Sequence, residues 1–291
     1  MESTPAAATP PLVSANWLTA HGHEPGIVVL DCSYYLPAMG RDADAEYLAA
    51  HVPGAIRFDL DAISDPASDL PHMLPPPEQF AATAERLGIR PDDRVICYDG
   101  SGVNLSAARV WWMFRIFGHR NVSVLNGGFG AWARETRPVQ RGVIRRFPTG
   151  YRVPSLDASL LYDRTAVERI VTGGDAAQLG DCRSAPRFNG LEDEPRAGLR
   201  RGHIPGSQNL PFTQFTDPAT RLFRTPAQLR ELFSTHGLDL AKPIVASCGS
   251  GVTACTLALA VEVVRAADPT GVGPPVAVYD GSWAEWGSGT R

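Results

Sequence analysis

Cys248-Gly249-Ser250-Gly251-Val252-Thr253-Ala254 is the stretch whose residue types and spacing come nearest to a chemical device. It sits between a short β-branched run, Pro243–Ala246, and a long apolar pattern, Thr253–Arg265, and so reads as a strand-to-helix turn. Such a turn aims successive backbone N–H groups into one small bowl, and the helix dipole adds positive potential there. Gly249 and Gly251 permit the dihedrals and the close approach that a bowl requires. A cysteine at its rim is favoured as the thiolate. The amides of Gly249, Ser250, Gly251, Val252 and Thr253 could then cradle the outer sulfur of a Cys248 persulfide. A positioned, ionised sulfur is what nucleophilic sulfur transfer needs.

The chain contains its own control, because it is a tandem duplication. Ala50-His51-Val52-Pro53-Gly54-Ala55 returns as Gly202-His203-Ile204-Pro205-Gly206-Ser207. Val95–Val103 returns as Ile244–Val252, Val124–Trp132 as Val278–Trp286, and more weakly Val28–Cys32 as Gln178–Cys182. Four blocks in one order at a nearly constant separation mark an internal repeat. In the first copy Asp99 stands where Cys248 stands in the second. A carboxylate cannot attack sulfur, so the first unit is expected to be inactive. A Cys-x5-Arg phosphatase loop is disfavoured, because Ala254 occupies the arginine position and the loop has no charged side chain.

The elements that must position this loop alternate between strands and helices. Ile27–Leu30, Arg94–Cys97 and Pro243–Ala246 read as buried parallel strands, and Pro77–Leu87, Ser106–Phe117, Thr225–His236 and Thr253–Arg265 as helices. The expected fold is α/β: two tandem domains, each a parallel sheet with helices on both faces. The boundaries read as a disordered tail over 1–11, a non-catalytic domain over 12–136, a linker over 137–157 and a catalytic domain over 158–291. The linker clusters prolines and glycines with Arg137, Arg141, Arg145, Arg146 and Arg152, and is expected to be solvated and to run along the domain seam.

Composition narrows the class. With 44% hydrophobic and 20% charged residues, and a net charge of −4, nothing suggests nucleic acid or an anionic membrane as partner. No apolar stretch approaches the roughly 20 residues of a membrane span, and no secretory pattern opens the chain. Five scattered cysteines suit neither a disulfide framework nor a zinc site, so reduced thiols and a cytoplasmic location are expected. Cys32, Cys97, Cys182 and Cys255 read as packing residues. His51 and His203, present in both copies, read as architectural, as does Arg183, and Trp111, Trp112, Trp283 and Trp286 fit helix-to-sheet packing.

The loop Cys-Gly-Ser-Gly-Val-Thr-Ala-Cys, together with Arg109–Arg115, Gly202–Gly206 and Asp280–Trp286, resembles the rhodanese family in its two-domain, mercaptopyruvate-using branch. The resemblance covers nearly the whole chain after the tail. It implies a sulfurtransferase that takes sulfur from 3-mercaptopyruvate, with thiosulfate as the alternative donor, and passes it to a thiol acceptor such as thioredoxin or a sulfur-carrier protein. It implies no metal and no organic cofactor. Arg187 and Arg196 fall on the segment that binds the substrate's oxygens in that family, a task suited to guanidinium forks. A surface network with Glu192, Asp193 and Glu194 is the plainer role for them, and Asp193 stands where the family tends to have a proline. Ser250, His72 and Asp61 fall on a proton relay, which places the site between the domains. The rival reading from another class is a non-catalytic docking module of the same fold.

Overall fold

The computed structural model describes residues 9–36 and 39–289. It contains two five-stranded, all-parallel sheets. In the first, β1 (Leu12–Val13), β2 (Ile27–Asp31), β3 (Ile56–Arg57), β4 (Arg94–Tyr98) and β5 (Val122–Leu125) lie in the order β1-β5-β4-β2-β3. In the second, β6 (Leu161–Tyr162), β7 (Gln178–Asp181), β8 (Gln208–Asn209), β9 (Ile244–Ser247) and β10 (Ala277–Tyr279) lie in the order β6-β10-β9-β7-β8. The two orders are the same permutation, as a duplicated unit requires.

Eleven α-helices connect and cover the strands among the described residues: α1 (Ala15–His21), α2 (Ala43–Ala49), α3 (Leu60–Ile63), α4 (Pro77–Arg86), α5 (Leu105–Ile116), α6 (Gly128–Arg134), α7 (Arg164–Val171), α8 (Ala185–Phe188), α9 (Pro226–Thr235), α10 (Ala254–Ala267) and α11 (Ser282–Trp286). Alternate strand residues bury opposite faces. Val95 and Cys97 enter a core shared by the two units, while Ile96 and Tyr98 enter a separate core on the outer face of the first sheet. In the second sheet Ile244 and Ala246 join the shared core, and Val245 enters the outer one.

The shared core is closed by α5 packing on α10, the helices that follow the two equivalent loops. Both are apolar nearly all round, as helices buried on every side should be. Trp111 and Trp112 of α5 are almost fully buried, and truncating either to alanine would cost about 3–5 kcal/mol. Packing the two helices brings the strand-to-helix loop of each unit to the same seam.

Two sequence expectations need amendment. Of the supposed tail, residues 1–8 lie outside the described residues, but Thr9–Pro11 are fixed beside β5: Pro11 O accepts from Val124 N at 2.8 Å and Pro10 O from Ser123 Oγ at 2.7 Å. The stretch 137–157, expected along the domain seam, makes its backbone hydrogen bonds with the first unit. Gln140 exchanges backbone hydrogen bonds with His51 at 2.9 Å, Thr149 N donates to Glu85 O, and Tyr151 is buried against Phe80. No helix among the described residues is long and apolar enough to cross a membrane.

Candidate active site

Cys248 follows β9 directly and lies in the floor of a pocket of about 200 Å³. Only 2% of the residue is exposed, so reagents reach it through that pocket alone. The loop that continues to α10 leaves the amides of Gly249, Ser250, Val252 and Thr253 without an acceptor among the described residues. Thr253 makes no side-chain cap, so the start of α10 is equally open. These are four of the five amides that the sequence offers for a cradle. One member is withdrawn: Gly251 N donates to Ser282 Oγ at 3.1 Å and cannot join the cradle.

Ser282 is the residue that shapes the loop. Its hydroxyl also accepts from Cys248 N at 3.1 Å and donates to Tyr279 O at 2.7 Å. One buried oxygen therefore ties both shoulders of the loop to the end of β10. Ser282 adopts φ +49°, a left-handed conformation rare for a residue with a side chain. The sequence reading missed it, although its block repeat offered a signal: Gly128 fills the equivalent seat beside Asp99, also left-handed at φ +56°.

The first unit shows what this cradle accepts. There the Asp99 carboxylate turns inward and takes Ser101 N at 2.8 Å and Ala107 N at 2.9 Å. Burial nonetheless pushes its carboxyl above the usual range, against these hydrogen bonds. The loop amides are thus partly taken up by the protein's own side chain in the first unit and left without an acceptor beside Cys248 in the second.

Across the seam, the loop after α3 brings His72 to Ser250. His72 Nδ1 lies 3.1 Å from Ser250 Oγ and Nε2 lies 3.0 Å from Asp61 Oδ1. The hydrogen bond from His72 holds the Asp61 carboxyl below its ordinary range, so it is ionised at neutral pH. Its side chain is 66% exposed, which gives the chain of three an outlet to solvent. All three residues singled out from the sequence therefore meet, from two different units.

Arg187, on α8, and Arg196 both line the pocket. Arg187 is paired with Glu194, as the plainer reading held, but this pairing orients it: Glu194 also accepts from Arg183 Nη1 at 2.7 Å, and Arg183 is buried against Asp181. A side chain added at Gly249 would meet Arg187 Nη2 at 3.1 Å, which puts the guanidinium beside the cysteine loop. Arg196 has no carboxylate within ion-pair distance among the described residues. Tyr34, which the sequence gave no reason to single out, completes the wall with its ring edge-on to His72 at 4.8 Å. Arg183, His51 and His203 serve the architecture; each histidine stacks on an aromatic ring and bonds a backbone carbonyl through Nδ1.

Two parallel α/β units of one topology, with a cysteine at the strand-to-helix turn of the second and an aspartate at that turn of the first, define a tandem α/β protein. The family model for the rhodanese-like domain matches residues 14–135 and 164–288, and the chain belongs to the rhodanese family. It is 42% identical over 280 residues to a human 3-mercaptopyruvate sulfurtransferase, covering 94% of this chain and 91% of that protein. It is 43% identical over 284 residues to a bovine thiosulfate sulfurtransferase, with coverage of 94% and 91%. The crystal structure of a 3-mercaptopyruvate sulfotransferase from Escherichia coli superposes with a TM-score of 0.83 at 37% identity, over 94% of this chain and 99% of that one.

Proposed function

We propose that this chain transfers sulfur from 3-mercaptopyruvate through a persulfide on Cys248. Overall identity does not separate the two donors, since relatives of both kinds stand at similar distance. One observation carries the choice: the cysteine loop is uncharged, and the cations of the pocket are Arg187 and Arg196, set to one side. A dianion such as thiosulfate calls for charge at the loop itself. A donor with a carboxylate and a keto oxygen calls for two guanidinium forks away from its sulfur.

In this reading Arg187 and Arg196 hold the oxygens of mercaptopyruvate, and the Cys248 thiolate attacks its sulfur. The new S–S bond forms as the C–S bond breaks, and the electron pair passes to the carbon fragment as pyruvate enolate. The persulfide gives up the thiol proton that came with the donor, and the enolate gains a proton to become pyruvate. Asp61 and His72 orient Ser250 for that proton traffic, with Asp61 open to solvent. The amides of Gly249, Ser250, Val252 and Thr253 stabilise the terminal sulfur until a thiol, for example that of thioredoxin or a sulfur-carrier protein, removes it. The five unpaired cysteines suit a reducing compartment such as the cytoplasm.

The test compares donors at equal concentration, following pyruvate from mercaptopyruvate and sulfite from thiosulfate. A kcat/KM at least tenfold in favour of mercaptopyruvate is expected. Preference for thiosulfate would reassign the donor, and a protein inert to both would leave a docking module as the better account.

A further inference from the structure

Arg109 leaves α5 of the first unit and ends under the cysteine loop of the second. Its Nη1 donates to Asp280 Oδ1 at 2.6 Å and lies 3.4 Å from Gly251 O, while Nη2 donates to His72 O at 2.6 Å. Asp280, at the end of β10, accepts Leu74 N at 2.7 Å through its other oxygen. Both side chains are essentially without solvent contact. A buried ion pair is a costly way to join two domains, since apolar side chains of the same volume often stabilise as well or better. Its presence asks for a use beyond cohesion.

Its contacts suggest the use. The pair grips the relay segment on both sides of Met73, through His72 O and Leu74 N, and grips the cysteine loop through Gly251 O. His72 itself has φ +59°, a conformation that surrounding structure must enforce. Gly251 is what allows the pair to lie so close, because a Cβ there would meet Asp280 Oδ1 at 2.8 Å and Arg109 Nη1 at 3.2 Å.

The disabled unit separates architecture from function. There Asn126 takes the seat of Asp280 and accepts Phe223 N at 2.8 Å, while Arg221, at φ +63°, takes the seat of His72. The turn is therefore held by a side-chain oxygen in both places. The ion pair is not repeated, because the α10 residue matching Arg109 is Ala258. The ion pair stands only at the seam where His72 meets the loop of Cys248.

We infer that Arg109 and Asp280 are positioning residues that set the His72 relay against the catalytic loop. This rests on the reading that the relay serves pyruvate release from mercaptopyruvate. The test is a double-mutant cycle of Asp280→Asn and His72→Ala, with kcat and KM for pyruvate release measured on all four proteins. Asparagine keeps an oxygen for Leu74 N, as Asn126 does for Phe223 N, so the turn should persist. In the wild-type background Asp280→Asn should lower kcat about tenfold to 100-fold, as a small misplacement of a catalytic group does, with KM within about twofold. In the His72→Ala background it should cost nothing more, because there is no relay left to misplace. The same loss in both backgrounds, or no loss in either, would overturn the inference. Arg109→Lys in the same cycle serves if Asp280→Asn does not fold. A wild-type protein that releases no pyruvate would sink the functional reading itself, whereas an active wild type with additive losses would sink only the positioning role.

Discussion

Replacing Ser282 with alanine removes a single oxygen and should disable the catalytic loop. That oxygen accepts Cys248 N and Gly251 N and donates to Tyr279 O, all within the buried end of β10. Alanine is as strained as serine at φ +49°, so backbone strain cancels between the two proteins. What remains is two buried donors without acceptors, at about 1–3 kcal/mol each, or about 2–6 kcal/mol together. Water entering from the pocket beside Cys248 pulls the loss toward the lower end. With a urea dependence of about 2 kcal/mol per molar, the unfolding midpoint should fall by roughly 1 M or more. Trp283 and Trp286, both buried in the second unit, supply the fluorescence signal. Turnover should fall by about 100-fold, because the loop that carries Cys248 loses the anchor that fixes its geometry. A Ser282→Ala protein with the wild-type midpoint and wild-type turnover would refute the claim that this hydroxyl shapes the loop.

Arg187→Ala should raise KM for mercaptopyruvate by about tenfold to 100-fold, the worth of a charge-assisted hydrogen bond, and change stability little, since Arg183 still holds Glu194; steady-state kinetics check this, and an unchanged KM would remove Arg187 from the substrate site. Asp61 is depressed by the hydrogen bond from His72, so its contribution is complete above the unfolded value of about 3.9 and is lost as pH falls through the lower folded value. Pyruvate release should therefore show no Asp61-dependent acid limb between about pH 5 and 7, and a limb in that range that Asp61→Asn abolishes would contradict the assignment. Iodoacetamide at neutral pH should label Cys248 and spare Cys255, whose thiol burial pushes up to about 12, along with Cys32 and Cys182, which burial also pushes well up; peptide mapping reads this directly.

The repeat, the strand-helix alternation and the exchange of Cys248 for Asp99 were legible because they are local patterns or copies of one. Helices α4 and α9 begin within a residue of the predicted positions, since Pro77 and Pro226 announce their first turns. Ser282 and the Arg109–Asp280 pair were not legible as parts of the site. Their partners lie 34 and 171 residues away, and no periodicity encodes contacts at that range. A trace was present: Gly128 becomes Ser282 and Asn126 becomes Asp280 in the unit where Asp99 becomes Cys248. The course of the linker was not legible for a different reason. Its prolines, glycines and arginines predict exposure, and Phe147 is indeed exposed, but the backbone of residue 140 pairs with His51 and Tyr151 fills a gap over Phe80.

The most direct measurement is the intact mass of the protein after brief exposure to 3-mercaptopyruvate and removal of excess donor. A gain of one sulfur atom that maps to Cys248, disappears on adding a thiol and is absent from Cys248→Ser is the expected result. An unmodified Cys248 alongside steady pyruvate release, or a sulfur found on another cysteine, would contradict it.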